Sequence, residues 1–93
     1  MCYSNYEILV DFNSAPENPL AEKAKLLLKE NAEIFTKNVR YYLDKSNSIA
    51  ADTIIRIPVG YYNIKSEVAG IRIRFLSEEE EKLNFKLEGV ELK

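Results

Sequence analysis

The stretch Ile71-Arg72-Ile73-Arg74-Phe75 alternates apolar and cationic side chains without a break. Successive side chains of a β-strand point to opposite faces, so a strand here buries Ile71, Ile73 and Phe75 and turns Arg72 and Arg74 the other way. A sheet built on it has one covered face and one open face. The covering layer is found earlier in the chain. Leu20, Ala24, Leu27, Leu28, Ala32, Phe35 and Val39 recur at steps of three and four, the apolar stripe of an amphipathic helix. Lys23, Lys25, Lys29, Glu30, Glu33 and Lys37 fall mainly on its wet side.

The remaining elements follow from the same two periods. Tyr6, Ile8, Val10 and Phe12 share one face of a first strand. Two helix starts overlap behind it: Ser14 with Glu17 at capping-box spacing, and Asn18 as N-cap before Pro19. The second keeps the stripe in phase. Val39-Arg40-Tyr41-Tyr42-Leu43 has strand-favouring residues, yet the stripe continues through it. One helix of about 26 residues is therefore expected, some 39 Å long at 1.5 Å per residue. After the loop Asp44 to Ser48, Thr53, Ile55, Ile57 and Val59 alternate with Ile54, Arg56 and Pro58. Proline donates no backbone hydrogen bond, which places this strand at an edge or a bulge. Gly60 turns the chain, Tyr61 to Lys65 reads as extended, and Ser66 to Gly70 reads as a turn. Ser77 to Lys82 reads as a solvated connection, with one helical turn capped by Ser77 as an alternative. Leu83, Phe85 and Leu87 form the last strand, and Gly89 shifts its phase to Val90 and Leu92, the mark of a bulge.

The expected fold class is α+β: a single domain spanning residues 1–93, in β-α-β-β-β order, with one long helix packed on an antiparallel sheet of about four strands.

Composition narrows the chemistry. The chain has no histidine, a single cysteine (Cys2) and three isolated glycines. Imidazole-based nucleophilic triads are excluded, and so are transition-metal sites, which need several Cys or His ligands. Isolated glycines form no phosphate-cradling loop. Glu78 to Glu81 lacks the spaced ligands of a calcium loop and reads as a solvated charge run. The expectation is a non-enzymatic protein without cofactor or metal. The opening residues lack the basic and apolar regions of a secretory leader, and no apolar run is long enough to span a bilayer, so a cytoplasmic location is expected.

The formal net charge is −2, which gives no bulk attraction to nucleic acid. Yet all four arginines, Arg40, Arg56, Arg72 and Arg74, lie in the middle of the chain, between two acidic flanks. Arg56, Arg72 and Arg74 are expected on the open sheet face, with the pairs Tyr41-Tyr42 and Tyr61-Tyr62 as aromatic area nearby. Arginine and tyrosine on one surface suit protein interfaces, and also base stacking with phosphate contact. Cross-strand pairing, with Glu88 or Glu91 opposite Arg72 or Arg74, is the structural alternative. A protein partner is the preferred reading: a small inhibitor or adaptor, of the phage, mobile-element or immunity-protein kind, with homodimerisation compatible. Nucleic-acid binding is second.

One local resemblance is present. Ser66-Glu67-Val68-Ala69-Gly70 resembles the first hairpin loop of cystatins, Gln-x-Val-x-Gly, at its valine and glycine. Ser66 stands in place of the glutamine, and a chain without tryptophan has no Pro-Trp loop. The resemblance implies cysteine-protease inhibition, while turn geometry accounts for the same residues.

Overall fold

A computed structural model describes Tyr3 and residues 5–12, 20–46 and 49–93. Its elements are β1 (Glu7–Asp11), α1 (Ala21–Glu30), α2 (Ala32–Ser46), β2 (Ile54–Pro58), a 3-10 turn (Gly60–Tyr62), β3 (Val68–Glu79) and β4 (Lys82–Leu92). The α+β class holds. The four strands form one sheet in the order β1-β4-β3-β2. β2 is an edge strand, as its proline requires.

The sheet is mixed rather than antiparallel. β3 pairs antiparallel with both β2 and β4, but β1 pairs parallel with β4. The helices carry the chain back to the end where β1 began, so β1 and β2 run the same way, and the β3–β4 hairpin inserts between them. This is a split β-α-β arrangement.

Two helices replace the single expected one. The break is Asn31, at φ −121° and ψ 29°. Both its backbone N–H and its side-chain amide donate to the Leu27 carbonyl, at 3.0 and 3.1 Å. The Phe35 N–H still donates to the Asn31 carbonyl at 3.1 Å, so the break lies in the Asn31 dihedral angles and not in a lost backbone bond at this residue. Asparagine's side-chain bond to a local carbonyl favours such a departure from helix. An unbroken helix of about 26 residues would run to about 39 Å, beyond the 36 Å longest dimension of the molecule. The stripe nevertheless crosses the break: Ala24, Leu27, Phe35, Val39 and Leu43 are all buried. Val39 to Leu43 is helical. The capping residues Ser14, Glu17, Asn18 and Pro19 lie outside the described residues, as does Cys2.

The helices cover one face of the sheet. Beneath them lie Ile55, Ile57, Ile71, Ile73, Phe75, Leu83, Phe85 and Leu87, all at most 5% exposed. Phe75 and Phe85 meet edge to face, with ring centroids 5.5 Å apart. The first strand contributes its expected face, Tyr6, Ile8, Val10 and Phe12, but only partly buried. Arg40 fastens this strand to α2 through Nε and Nη2, which both donate to the Tyr6 carbonyl.

Three further expectations are corrected. Tyr61 and Tyr62 sit in the 3-10 turn, with Asn63 left-handed behind it, not in extended chain. Val68 to Gly70 begins β3, so the cystatin-like segment bends at Ser66 and Glu67 and its matching valine and glycine lie in strand, not in a hairpin loop. Finally, β3 and β4 stay paired out to Glu79 and Lys82. The connection shrinks to Glu80 and Glu81, both left-handed at φ 46° and 64°. Two positive-φ residues are what a two-residue hairpin of matching twist demands, and glutamate suits neither position.

Left-handed backbone costs a residue with a Cβ roughly 1–2 kcal/mol. The double substitution Glu80→Asn, Glu81→Gly is expected to raise the melting temperature by about 4–8 °C, the shift that about 1 kcal/mol produces in a domain of this size. Calorimetry reads it directly. Leu43→Ala removes a fully buried side chain and is expected to cost about 2–5 kcal/mol. Leu26, 56% exposed on α1, is expected to tolerate alanine within about 0.5 kcal/mol. Equal losses in urea titration would refute the orientation of the helical layer.

Candidate recognition surface

The face opposite the helices is built from the outward positions of four strands. Cα register aligns Arg56 with Arg72 and Gly89 in one row, and Ile54 with Arg74, Lys86 and Asp11 in the next. Leu9, Asn84 and Ser77 form a third, and Glu7, Lys82 and Glu79 a fourth. The three arginines expected to share a face do share it. Their neighbours on the strands, Ile55, Ile57, Ile71, Ile73 and Phe75, are the buried layer that turns them outward.

A bulge in β4 shapes the centre of this face. Arg72 pairs with Gly89 and Ile73 with Leu87, leaving Glu88 as an extra residue between them. The bulge restores Val90 to the inner side, where it packs on the core. It also presents Glu88 to Arg74. Arg74 donates from Nε and Nη2 to the two Glu88 oxygens at 2.9 and 2.6 Å, a bidentate pair, with Asp52 at 3.8 Å. Arg56 donates from Nε to Glu91 at 2.8 Å. The cross-strand alternative is therefore realised for Arg74 and not for Arg72, while the pairing of Arg56 with Glu91 was not foreseen. These hydrogen bonds hold the carboxyl groups of Glu88 and Glu91 below the usual carboxylate range.

Arg72 differs. It lies within the field of both carboxylates, yet it forms no ion pair among the described residues. Its guanidinium rests over the backbone of Gly89: a Cβ there would stand 2.4 Å from Nη2. Arg56 rests likewise over Gly70, where a Cβ would meet its Nη2 at 3.0 Å. Neither glycine has positive φ. Both are glycine because the adjacent strand lays a guanidinium across them. Glycine inside a strand is the signal for such a close approach. The bulge expected at Gly89 is present, but it does not by itself announce the guanidinium, and Gly70 lies in strand and not in the expected turn.

The tyrosines do not join this surface as a group. Tyr41 and Tyr42 belong to α2, in the layer on the other side of the sheet. Tyr41 is 63% exposed, with the Lys45 ammonium 4.6 Å above its ring. Tyr61 lies in the turn beyond β2 and is 79% exposed. The backbone of Tyr62 belongs to the same turn. Apolar area on the arginine face comes instead from Leu9, Ile54 and Leu76, each more than a third exposed. Leu76 is the extra residue of a second bulge, in β3. Alternation does not announce it.

Tyr3 and Tyr6 are a further pair that sequence reasoning passed over. Their rings meet edge to face at 5.2 Å. Burial raises the Tyr3 phenol, and a hydrogen bond with Glu78 raises that of Tyr6. The Tyr3 backbone N–H donates to Asp44. This cluster ties the first strand to α2 and to the end of β3. Among the described residues, no group of three or more Cys, Asp or Glu side chains is placed to hold a metal ion. No helix among them is long and apolar enough to cross a membrane.

The lowered carboxyls have a thermodynamic consequence. A carboxyl whose folded pKa lies below its unfolded value, about 4.3 for glutamate, stabilises the fold above that value and loses the contribution as pH falls through the folded one. Glu88→Gln is therefore expected to lower the urea midpoint at pH 7, with the gap to the parent protein closing as pH falls below about 4. A gap that persists unchanged to pH 2 would refute the linkage. High salt is expected to narrow the gap at neutral pH.

Compared with known proteins, the chain matches no family model, no curated protein and no solved structure.

Proposed function

We propose that the protein is a non-enzymatic binding module that docks a protein partner on the open face of its sheet, with Arg72 at the centre. The observation that carries this reading is the disposition of the arginines. All three occupy the face the helices leave bare, and two are held in place by neighbouring carboxylates. Arg72 keeps its donors unpaired among the described residues. A guanidinium held flat on a glycine backbone has little rotamer freedom left to lose, and donors fixed before binding reduce the cost of association. Exposed Leu9, Ile54 and Leu76 add the apolar contact that a protein interface uses around such an anchor. The partner supplies a carboxylate, or a cluster of carbonyl oxygens, to Arg72.

The balance of charge on this face favours protein over nucleic acid. Arg56, Arg72, Arg74, Lys82 and Lys86 are matched by Glu7, Asp11, Glu79, Glu88 and Glu91. A phosphate backbone meeting these positions would face as many acids as bases, and nucleic-acid affinity depends on a net excess of cations. The class of activity is that of a small inhibitor or adaptor acting by coverage. Antagonists encoded by phages and mobile elements and toxin-immunity proteins work in this manner, and a cytoplasmic setting belongs to the same proposal.

Arg72→Glu reverses the central charge at an exposed position and is expected to leave the circular dichroism spectrum unchanged. In pull-downs from native lysate followed by mass spectrometry, the partner held by the parent protein is expected to drop at least ten-fold with Arg72→Glu and to persist with Tyr41→Ala, Tyr42→Ala on the opposite layer. The reverse outcome would move the interface to the helices. Oligonucleotide binding at low ionic strength that falls steeply with added salt would replace the protein partner with nucleic acid.

A further inference from the structure

A cleft of about 310 Å³ opens between β1 and the helical layer. It exists because the edge strand is incompletely covered. Ile8, Val10 and Phe12 point toward the core and remain only partly buried, whereas their neighbours on β4, Leu83, Phe85 and Leu87, are at most 2% exposed. The floor is hydrocarbon from Ile57, Ile73, Phe35 and Val39. Its polar lining among the described residues consists of Lys25 and Lys29 of α1 and Thr36 of α2, with no acid.

The two lysines are informative. They stand four residues apart on one helix, where like charges repel and destabilise the helix by a few tenths of a kcal/mol. Lys23 pairs with Glu67 and Lys37 with Glu33. Lys25 and Lys29 have no ion pair among the described residues. An apolar hollow rimmed by two cations without an ion pair among the described residues, and by a hydroxyl, is complementary to a molecule with an anionic head and a hydrocarbon tail. Size limits the tail. An apolar cavity of about 150 Å³ accommodates benzene, so a hollow of twice that volume holds on the order of a dozen heavy atoms.

We infer that this cleft binds a medium-chain carboxylate, its alkyl chain on the Ile8–Val10–Phe12 face of β1 and its head group between Lys25 and Lys29. The site lies on the layer opposite the arginine face and is independent of the partner proposed there.

Decanoate, with twelve heavy atoms, is the probe, used below its micellar concentration. Isothermal calorimetry is expected to show one site with a dissociation constant in the range of tens of micromolar, which corresponds to an efficiency between the limits for fragments and for drug-sized ligands. Lys25→Gln, Lys29→Gln is expected to weaken decanoate at least ten-fold and to leave decanol, which has the same chain and no charge, unaffected. Ala32→Trp, placed at the rim, is expected to abolish binding of both while the far-ultraviolet spectrum and melting temperature confirm a folded protein. Absence of saturable decanoate binding to the parent protein overturns the proposal. Equal affinity for decanol and decanoate, indifferent to the lysine changes, overturns the anionic head group. A parent protein that sediments as a dimer, and as a monomer after Ala32→Trp, assigns the cleft to a second copy and overturns it too.

Discussion

Burying Ile71, Ile73 and Phe75 forces Arg72 and Arg74 to the other side of β3, because a pleated strand has only two sides. Everything distinctive about this molecule follows from the helices covering one of them. The buried residues supply the apolar contact that holds the two layers together. The arginines cannot be drawn into the core without exposing those residues in exchange. A one-residue slip of β3 against β4 would invert both sets at once, so the register is strongly specified. The open face is therefore as well determined as the core, although its residues contribute little to stability themselves.

On that face the problem is placing three guanidinium groups close together. Arg56 and Arg72 are directly opposite each other across β2 and β3, an arrangement of like charges that destabilises a sheet. Each side chain leans across the neighbouring strand, Arg56 over Gly70 and Arg72 over Gly89. Acidic residues complete the arrangement, Glu91 for Arg56 and Glu88 for Arg74. Exposed ion pairs of this kind add little to stability because water screens them. Their effect is positional. They fix where the guanidinium groups lie, and the β4 bulge that presents Glu88 exists for no evident reason of core packing beyond returning Val90 to the inner side.

The sequence made the two layers legible because each period survives folding intact. Tyr6, Ile8, Val10 and Phe12 face the helices, and the stripe from Ala24 to Leu43 faces the sheet. What it concealed were events that leave the period unchanged. Asn31 interrupts the helix while the apolar stripe passes through it in phase. Parallel and antiparallel pairing use the same alternation, so the partner of β1 could not be read from β1. Glu80 and Glu81 belong to a run of four glutamates whose solubility is obvious, but hairpin turns are normally announced by Asn or Gly at positive φ. Tyr61 and Tyr62 favour strands on intrinsic grounds, and a 3-10 turn closed by left-handed Asn63 overrides that preference. On the candidate surface, alternation sufficed to place Arg56, Arg72 and Arg74 together. It could not reveal that Tyr41 and Tyr42 belong to another layer, or that Gly70 and Gly89 make room for the arginines.

The edge strand β1 connects the two surfaces of the molecule. Its outward residues Leu9 and Asp11 continue the arginine face, while Ile8 and Val10 line the cleft on the other side. It is held by parallel pairing with β4, by Arg40 at its start and by the Tyr3–Tyr6–Glu78 cluster beside it. Parallel pairing is slightly weaker per residue than antiparallel pairing, and five residues of it are flanked by incomplete burial. Local stability in a protein follows buried contact, which ranks β1 below the β3–β4 hairpin. A molecule that fills the cleft supplies the missing contact and stabilises the strand through mass action. The arginine face depends on β2, β3 and β4 for Arg56, Arg72 and Arg74, and on β1 only for its acidic and apolar margin. Occupancy of the cleft would thus reach the opposite face at Leu9 and Asp11, at the margin of a docked partner, and leave the central guanidinium untouched.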